Sequence, residues 1–176
     1  MILFKRLAVA VLAVFLGSCS ADIDNYQSSA PRFDLFGYFE GNVRAWGMVQ
    51  DYTEQQTRRF EVEIVGTVEG NRLTLVEDFV FDDGELDQRI WFITKLDDGS
   101  YQGEADDIIG LAAGQERGNA LQWRYDFELK TDDSTITVAF DDWLYRQDDK
   151  HVFNLTKIKK FGVEVGTITL FFQKQP

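Results

Sequence analysis

One cysteine, Cys19, and one histidine, His151, are all the thiol and imidazole this chain offers. With no second thiol there is no disulfide framework, and the Cys- and His-rich ligand sets of structural zinc are excluded as well. Proline is confined to Pro31 and Pro176, so between them no residue removes a backbone donor from a strand. Cations are scarce. The chain has 18 Lys and Arg against 30 Asp and Glu, a formal charge of −12. That balance repels phosphate backbones and anionic headgroups, which argues against nucleic acid as a partner and against a polybasic membrane contact. Long apolar runs are missing too. The main one, Leu7 to Leu16, falls well short of the roughly 20 residues a membrane span requires. Nucleophile elbows, phosphate loops and zinc spacings do not occur. The acidic turns Asp82-Asp83-Gly84 and Asp97-Asp98-Gly99 lack the spaced ligands of a calcium loop. No catalytic residue, metal or cofactor is assigned on these grounds, and the chain is not read as an enzyme.

What the N-terminus does have is a basic start at Lys5-Arg6, the apolar run, and small residues ending at Cys19. That order is the pattern of a secretory signal. Leu16-Gly17-Ser18-Cys19 resembles the lipobox of bacterial lipoproteins. The resemblance implies that residues 1–18 are a cleaved signal peptide and that Cys19 carries the lipid. Each buried methylene of that lipid adds about 0.8 kcal/mol of anchoring. Ser20 follows the cysteine, where aspartate favours inner-membrane retention in lipoproteins of Gram-negative bacteria. The implied address is the periplasmic face of the outer membrane. An ordinary secretory signal with a stray cysteine is the alternative. Loss of residues 1–18 removes two cations and no acid, leaving a formal charge of −14. Residues 19–36 are polar and irregular and read as a lipidated tether, with the folded domain at 37–176.

From Gly37 onward, short segments alternate apolar and polar residues, separated by Glu69-Gly70-Asn71, Asp82-Asp83-Gly84, Asp97-Asp98-Gly99, Gly118-Asn119, Asp132-Asp133-Ser134 and Gln147-Asp148-Asp149-Lys150. Alternation between such turns predicts antiparallel strands joined by hairpins. Strands are expected over 40–50, 58–68, 72–81, 85–96, 100–109, 120–130, 134–145, 150–160 and 163–173. Residues 111–116 are expected to continue the 100–109 strand past a bend at Gly110. No stretch holds a helical period for ten residues. The expected fold is all-β, an up-and-down meander of about 8–10 strands, closed into a barrel because closure removes the exposed edges. A β-sandwich competes, but it requires crossing connections.

Phe39-Glu40-Gly41, Ala45-Trp46-Gly47, Glu77-Asp78-Phe79, Asp83-Gly84-Glu85, Gly103-Glu104-Ala105-Asp106-Asp107, the run from Gly118 to Tyr125, Asp141-Asp142-Trp143 and Phe161-Gly162-Val163 stand in that order. Together they resemble a family of uncharacterised proteobacterial lipoproteins, a domain of unknown function with a lipocalin-like (calycin) barrel. The resemblance covers nearly all of the mature chain. It implies the barrel and no activity. The general lipocalin signature is not met, since Gly41 and Trp46 stand five apart.

In a barrel the informative residue is a polar one on an apolar face. Glu77 shares a face with Leu75 and Phe79, and Gln88 with Leu86 and Ile90. Asp107 follows Tyr101, Gly103 and Ala105, and Asp142 follows Ile136, Val138 and Phe140. With Trp46, Tyr101, Trp123 and Tyr125, these residues would line a pocket for a small apolar or amphipathic molecule. Arg44, Arg89 and Arg146 are the cations that could pair with the carboxylates. Competing readings stay open. A bulge at Asp141-Asp142 would turn Asp142 outward and bring Trp143 and Tyr145 inward. Glu77 and Gln88 could sit at a wet rim, and the tryptophans could simply be packing. A cross-strand dyad of Asp107 and Asp142 would suit a hydrolase or isomerase. The leading expectation is an anchored ligand-binding barrel. The second is a filled barrel acting as an envelope interaction module, with a protein partner that the sequence does not identify.

Overall fold

The structure is a computed structural model that describes residues 21–130 and 134–176. Cys19, the signal-like segment, Ser20 and the Asp132-Asp133 part of one expected turn lie outside the described residues. Ten antiparallel strands run in chain order: β1 (Gly41–Asp51), β2 (Gln56–Glu69), β3 (Arg72–Phe81), β4 (Leu86–Lys95), β5 (Tyr101–Glu104), β6 (Ile108–Arg117), β7 (Ala120–Lys130), β8 (Thr135–Arg146), β9 (His151–Lys160) and β10 (Val163–Lys174). Each pairs with its neighbour in sequence, and β1 pairs with β10 to close the barrel. Among the described residues no helix is long and apolar enough to cross a membrane.

Alternation decides which face is inside. Val62, Ile64, Leu73, Leu75, Leu121, Trp123, Val138 and Phe140 are buried, while their chain neighbours face out. The widest side chain fits because glycines surround it. A Cβ on Gly103 would stand 2.5 Å from Trp123 Cζ2, and one on Gly114 2.2 Å from its Cε3. These two positions leave the indole its volume, a close approach only glycine allows.

The barrel's two ends differ. A short helix, α1 (Leu35–Phe39), stops one end. Asp34 caps it by accepting the Gly37 N–H at 3.1 Å, as an N-cap carboxylate does. Leu35, Tyr38 and Phe39 are buried, with Phe39 edge-on to Phe172 at 5.6 Å. Lys174 Nζ donates to the carbonyls of Gly37, Tyr38 and Glu40, the exposed acceptors of the last helical turn. Behind this plug packing is complete: Val43, Leu73 and Val152 are 0% exposed. At the opposite end the inward-facing Val49, Phe79, Phe81, Phe127, Ile136, Ile158 and Ile168 are only half-buried. Among the described residues no helix crosses that end, and it is called the mouth below.

Three expectations are corrected. Residues 111–116 do not extend the preceding strand. The chain reverses at Ala105-Asp106-Asp107, and β6 runs back along β5, with a register shift between Ile109 and Ala113 around Gly110. The polar stretch before residue 37 is not a free tether. Ile23–Tyr26 forms a 3-10 turn on the outer wall, where Ile23 packs with Ala120 and Trp143. Ser29 Oγ accepts the Asn119 N–H at 2.9 Å, and Phe33 is buried. Finally, β4 has the opposite parity to the one expected. Arg89, Trp91 and Ile93 face in, while Leu86, Gln88, Ile90 and Phe92 face out.

Candidate functional site

Five strands and one turn bring six polar groups to the floor of the mouth. β3 supplies Glu77, β4 Arg89, the β5–β6 turn Asp107, β7 Tyr125, β8 Asp142 and β9 Thr156. Glu77 and Arg89 are direct cross-strand partners, as are Asp142 and Thr156. Arg89 runs between two rings. Its guanidinium carbon lies 5.8 Å from the Phe79 centroid and 5.1 Å from that of Phe127, within cation–π range. Its Nη2 and Nε then meet Asp107 Oδ2 at 2.6 and 2.8 Å. Below the carboxylates, Trp91 stands edge-on to Trp123 and Tyr125, with centroids 5.7 and 5.3 Å apart.

Burial sets the charge states. It pushes the Glu77 carboxyl up to about 7; Arg89 opposes that, and Asp107 and Asp142 add to it. It pushes Asp142 up to about 7 as well, against the pull of the Thr156 hydroxyl, Arg89 and the Tyr125 hydroxyl. The Tyr125 phenol is raised well above its usual range, first by burial and then by Asp142. Burial pulls the Arg89 guanidinium down, but Tyr125, Glu77 and Asp107 outweigh it and leave it above its ordinary value. Two acceptors, Asp107 Oδ1 and Asp142 Oδ1, are buried without a hydrogen-bond partner among the described residues. Orphaned acceptors of this kind are rare in folded proteins and mark sites of strain or binding. Among the described residues no three His, Cys, Asp or Glu side chains gather closely enough to hold a metal ion.

The sequence-predicted residues divide accordingly. Glu77, Asp107, Tyr125 and Asp142 come together at the floor, and Trp123 lies directly beneath them. Asp142 faces inward because β8 pairs with both neighbours without a bulge, which leaves Trp143 and Tyr145 on the outer wall under Tyr26. Trp46 is outside the barrel, stacked on Phe171 at 6.3 Å. Gln88 is outside too, donating to Asp78 at 2.7 Å. Tyr101 is inside but at the plugged end. Its hydroxyl donates at 2.9 Å to Glu116, whose carboxylate also accepts the Leu35 N–H at 2.7 Å. Of the three candidate cations only Arg89 enters. Arg44 pairs with Glu61 on the outer face, and Arg146 donates to the Arg32 carbonyl at 2.9 Å. Thr156, Phe79, Phe81 and Phe127 were missed as site residues. Phe127 was legible as the next inward position after Tyr125, and Thr156 as the only hydroxyl among inward β9 residues.

A separate hollow of about 470 Å³ lies on the outer wall between Ile23, Leu96, Gln102 and Gln122. It is the seam where the N-terminal turn meets β5 and β6. It has none of the buried charge of the mouth.

Comparison with known proteins follows the barrel. A similar solved structure is the S-type phycobiliprotein lyase CPES of Guillardia theta, with a TM-score of 0.54 at 10% identity, covering 80% of this chain and 91% of that one. At that identity the likeness concerns architecture, a lipocalin-like closed barrel. No curated protein sequence matches the chain. A family model, by contrast, matches residues 13–174, nearly the whole length and every strand of the barrel, and on that match the chain belongs to DUF3833, a family of proteins of unknown function.

Proposed function

We propose that this protein binds a small amphipathic molecule in the open end of its barrel, held at the periplasmic face of the outer membrane by a lipid on Cys19. The observation that carries the binding reading is the burial gradient. The plugged half is filled, while the inward phenylalanines and isoleucines of the other half stay half-buried above a charged floor. Apolar walls with a few convergent polar groups are the usual make-up of a ligand site. The anchoring reading rests on the lipobox resemblance at Leu16-Gly17-Ser18-Cys19. The reading is one of binding and not of catalysis. The phycobiliprotein lyase shares the architecture, and at 10% identity its activity is not carried across.

A second reading has its own support. Trp46, Phe171 and Phe153 form an aromatic row on the outer wall, with successive centroids 6.3 and 5.1 Å apart. A row of that kind suits a protein-contact surface on a barrel that needs no ligand. Mass spectrometry separates the two. The full-length gene is expressed in a Gram-negative host, and the protein is extracted in mild detergent and weighed intact, then after delipidation. The expected result is a chain beginning at acylated Cys19 with one further non-covalent mass that leaves on delipidation. An unacylated chain would remove the anchor, and a bare folded mass would move the search to protein partners.

A further inference from the structure

We propose that the floor of the mouth selects a cationic headgroup, an alkylammonium on an apolar tail, through the free oxygens of Asp142 and Asp107. This deepens the binding reading above and rests on it. The first argument is charge. Three carboxylates, Glu77, Asp107 and Asp142, share the floor with one guanidinium, and Arg89 already gives Nε and Nη2 to Asp107. A carboxylate or phosphate headgroup entering here meets three acceptors and, among the described residues, one guanidinium whose Nε and Nη2 Asp107 already takes. An ammonium meets the reverse, because it brings only donors.

The second argument is the orphaned acceptors. Asp142 is 6% exposed, and its Oδ1 has no hydrogen-bond partner among the described residues. Its direction is fixed by unbroken pairing to Trp123 on one side and Thr156 on the other. Asp107 Oδ1 is buried in the same state. A donor arriving from the mouth satisfies what the fold leaves unsatisfied. The third argument is the wall. Phe79 and Phe127 already flank one cation, Arg89, and Trp91 and Tyr125 line the layer below. Ring faces attract organic ammonium groups. Among the described residues no three His, Cys, Asp or Glu side chains gather closely enough to hold a metal ion.

The test uses the full-length protein in nanodiscs of neutral phosphatidylcholine, with empty nanodiscs as the blank. Octylammonium, octanol and octanoate share one tail and differ in head. Each is titrated by calorimetry at pH 8, where Glu77 and Asp142 are ionised, and again at pH 5.5, where both are largely neutral. The groups facing the head are Glu77, Arg89, Asp107, Tyr125 and Asp142, and burial pushes Glu77 and Asp142 into that range. We expect octylammonium to bind at least about tenfold tighter than octanol at pH 8, with octanoate weakest. Lowering the pH should erase most of that advantage while octanol stays unchanged. Asp142→Asn should remove most of that advantage at pH 8. Octanoate or octanol binding as tightly as octylammonium overturns the headgroup assignment and leaves the binding barrel standing. Failure of all three to bind overturns both.

Discussion

Asp142 and Glu77 are held inside the barrel by strand parity, and each is a carboxyl that prefers its proton there. The consequence for stability has a definite sign. A buried acid with a raised pKa binds more protons folded than unfolded, so stability falls as pH rises from the unfolded value, near 4, through about 7. The melting temperature should therefore drop by several degrees between pH 5 and pH 8. The double variant Glu77→Gln, Asp142→Asn should flatten that slope. Thermal scans across the range check it, and an unchanged slope in the variant would show that these two groups do not carry the effect. Below pH 4 the trend reverses, because surface acids such as Asp148, held at about 2 by the His151 side chain and nearby backbone N–H groups, begin to lose their contacts.

At the scale of elements, the plug is the part that the barrel's own pattern does not supply. Its seat is set by Gly66, where a Cβ would stand 1.8 Å from the Phe39 carbonyl oxygen. Neither backbone can yield cheaply, so Gly66→Ala should unseat α1, at a cost of about 1–3 kcal/mol. Hydrogen exchange should then show faster exchange at the Leu35, Tyr38 and Glu40 amides with β7 and β8 protection unchanged. Loss of protection throughout would mean that the plug and barrel form one cooperative unit. The sequence could not reveal this helix by period, since five residues hold little more than one turn, and Asp34 as a cap was its only local sign. The strands were readable wherever one face is apolar and the other charged, as in β7 with Leu121, Trp123 and Tyr125 against Arg124 and Asp126. β4 misled because both of its faces are apolar. Ile90 continues an outer row with Val65 and Val76, and Phe92 lies under Arg72. The hydrophobic signal there chose the wrong side and left Arg89 undistinguished from Arg44 and Arg146 as a partner for the carboxylates. The β5–β6 reversal escaped because its turn, Ala105-Asp106-Asp107, contains no glycine, asparagine or proline. Trp46 was assigned to the pocket by residue type, although its alternation with Val43 and Ala45 already placed it outside.

For the whole molecule, closure is what removes the edges. Val43 pairs with Lys174 and Asp51 with Gly166, so β10 is the only cover on one flank of β1. Deleting residues 163–176 would bare β1 and β9 together. Two long unpaired edges recruit other chains. The truncated protein should elute as aggregate in size-exclusion chromatography with light scattering. A monomer with an unaltered circular dichroism spectrum would show that the remaining nine strands can close by themselves.

Because the barrel closes first strand on last, the synthesis of β1 and its completion are separated by the whole length of the barrel. While the ribosome is still reading the codons of β10, every earlier hairpin can zip to its neighbour, yet β1 waits with one flank bare. Whatever escorts the nascent chain must shield that flank until β10 emerges. A stop placed ahead of β10 yields an open trough where a slightly shorter barrel would have been expected, and the soundness of the fold therefore comes down to its last strand.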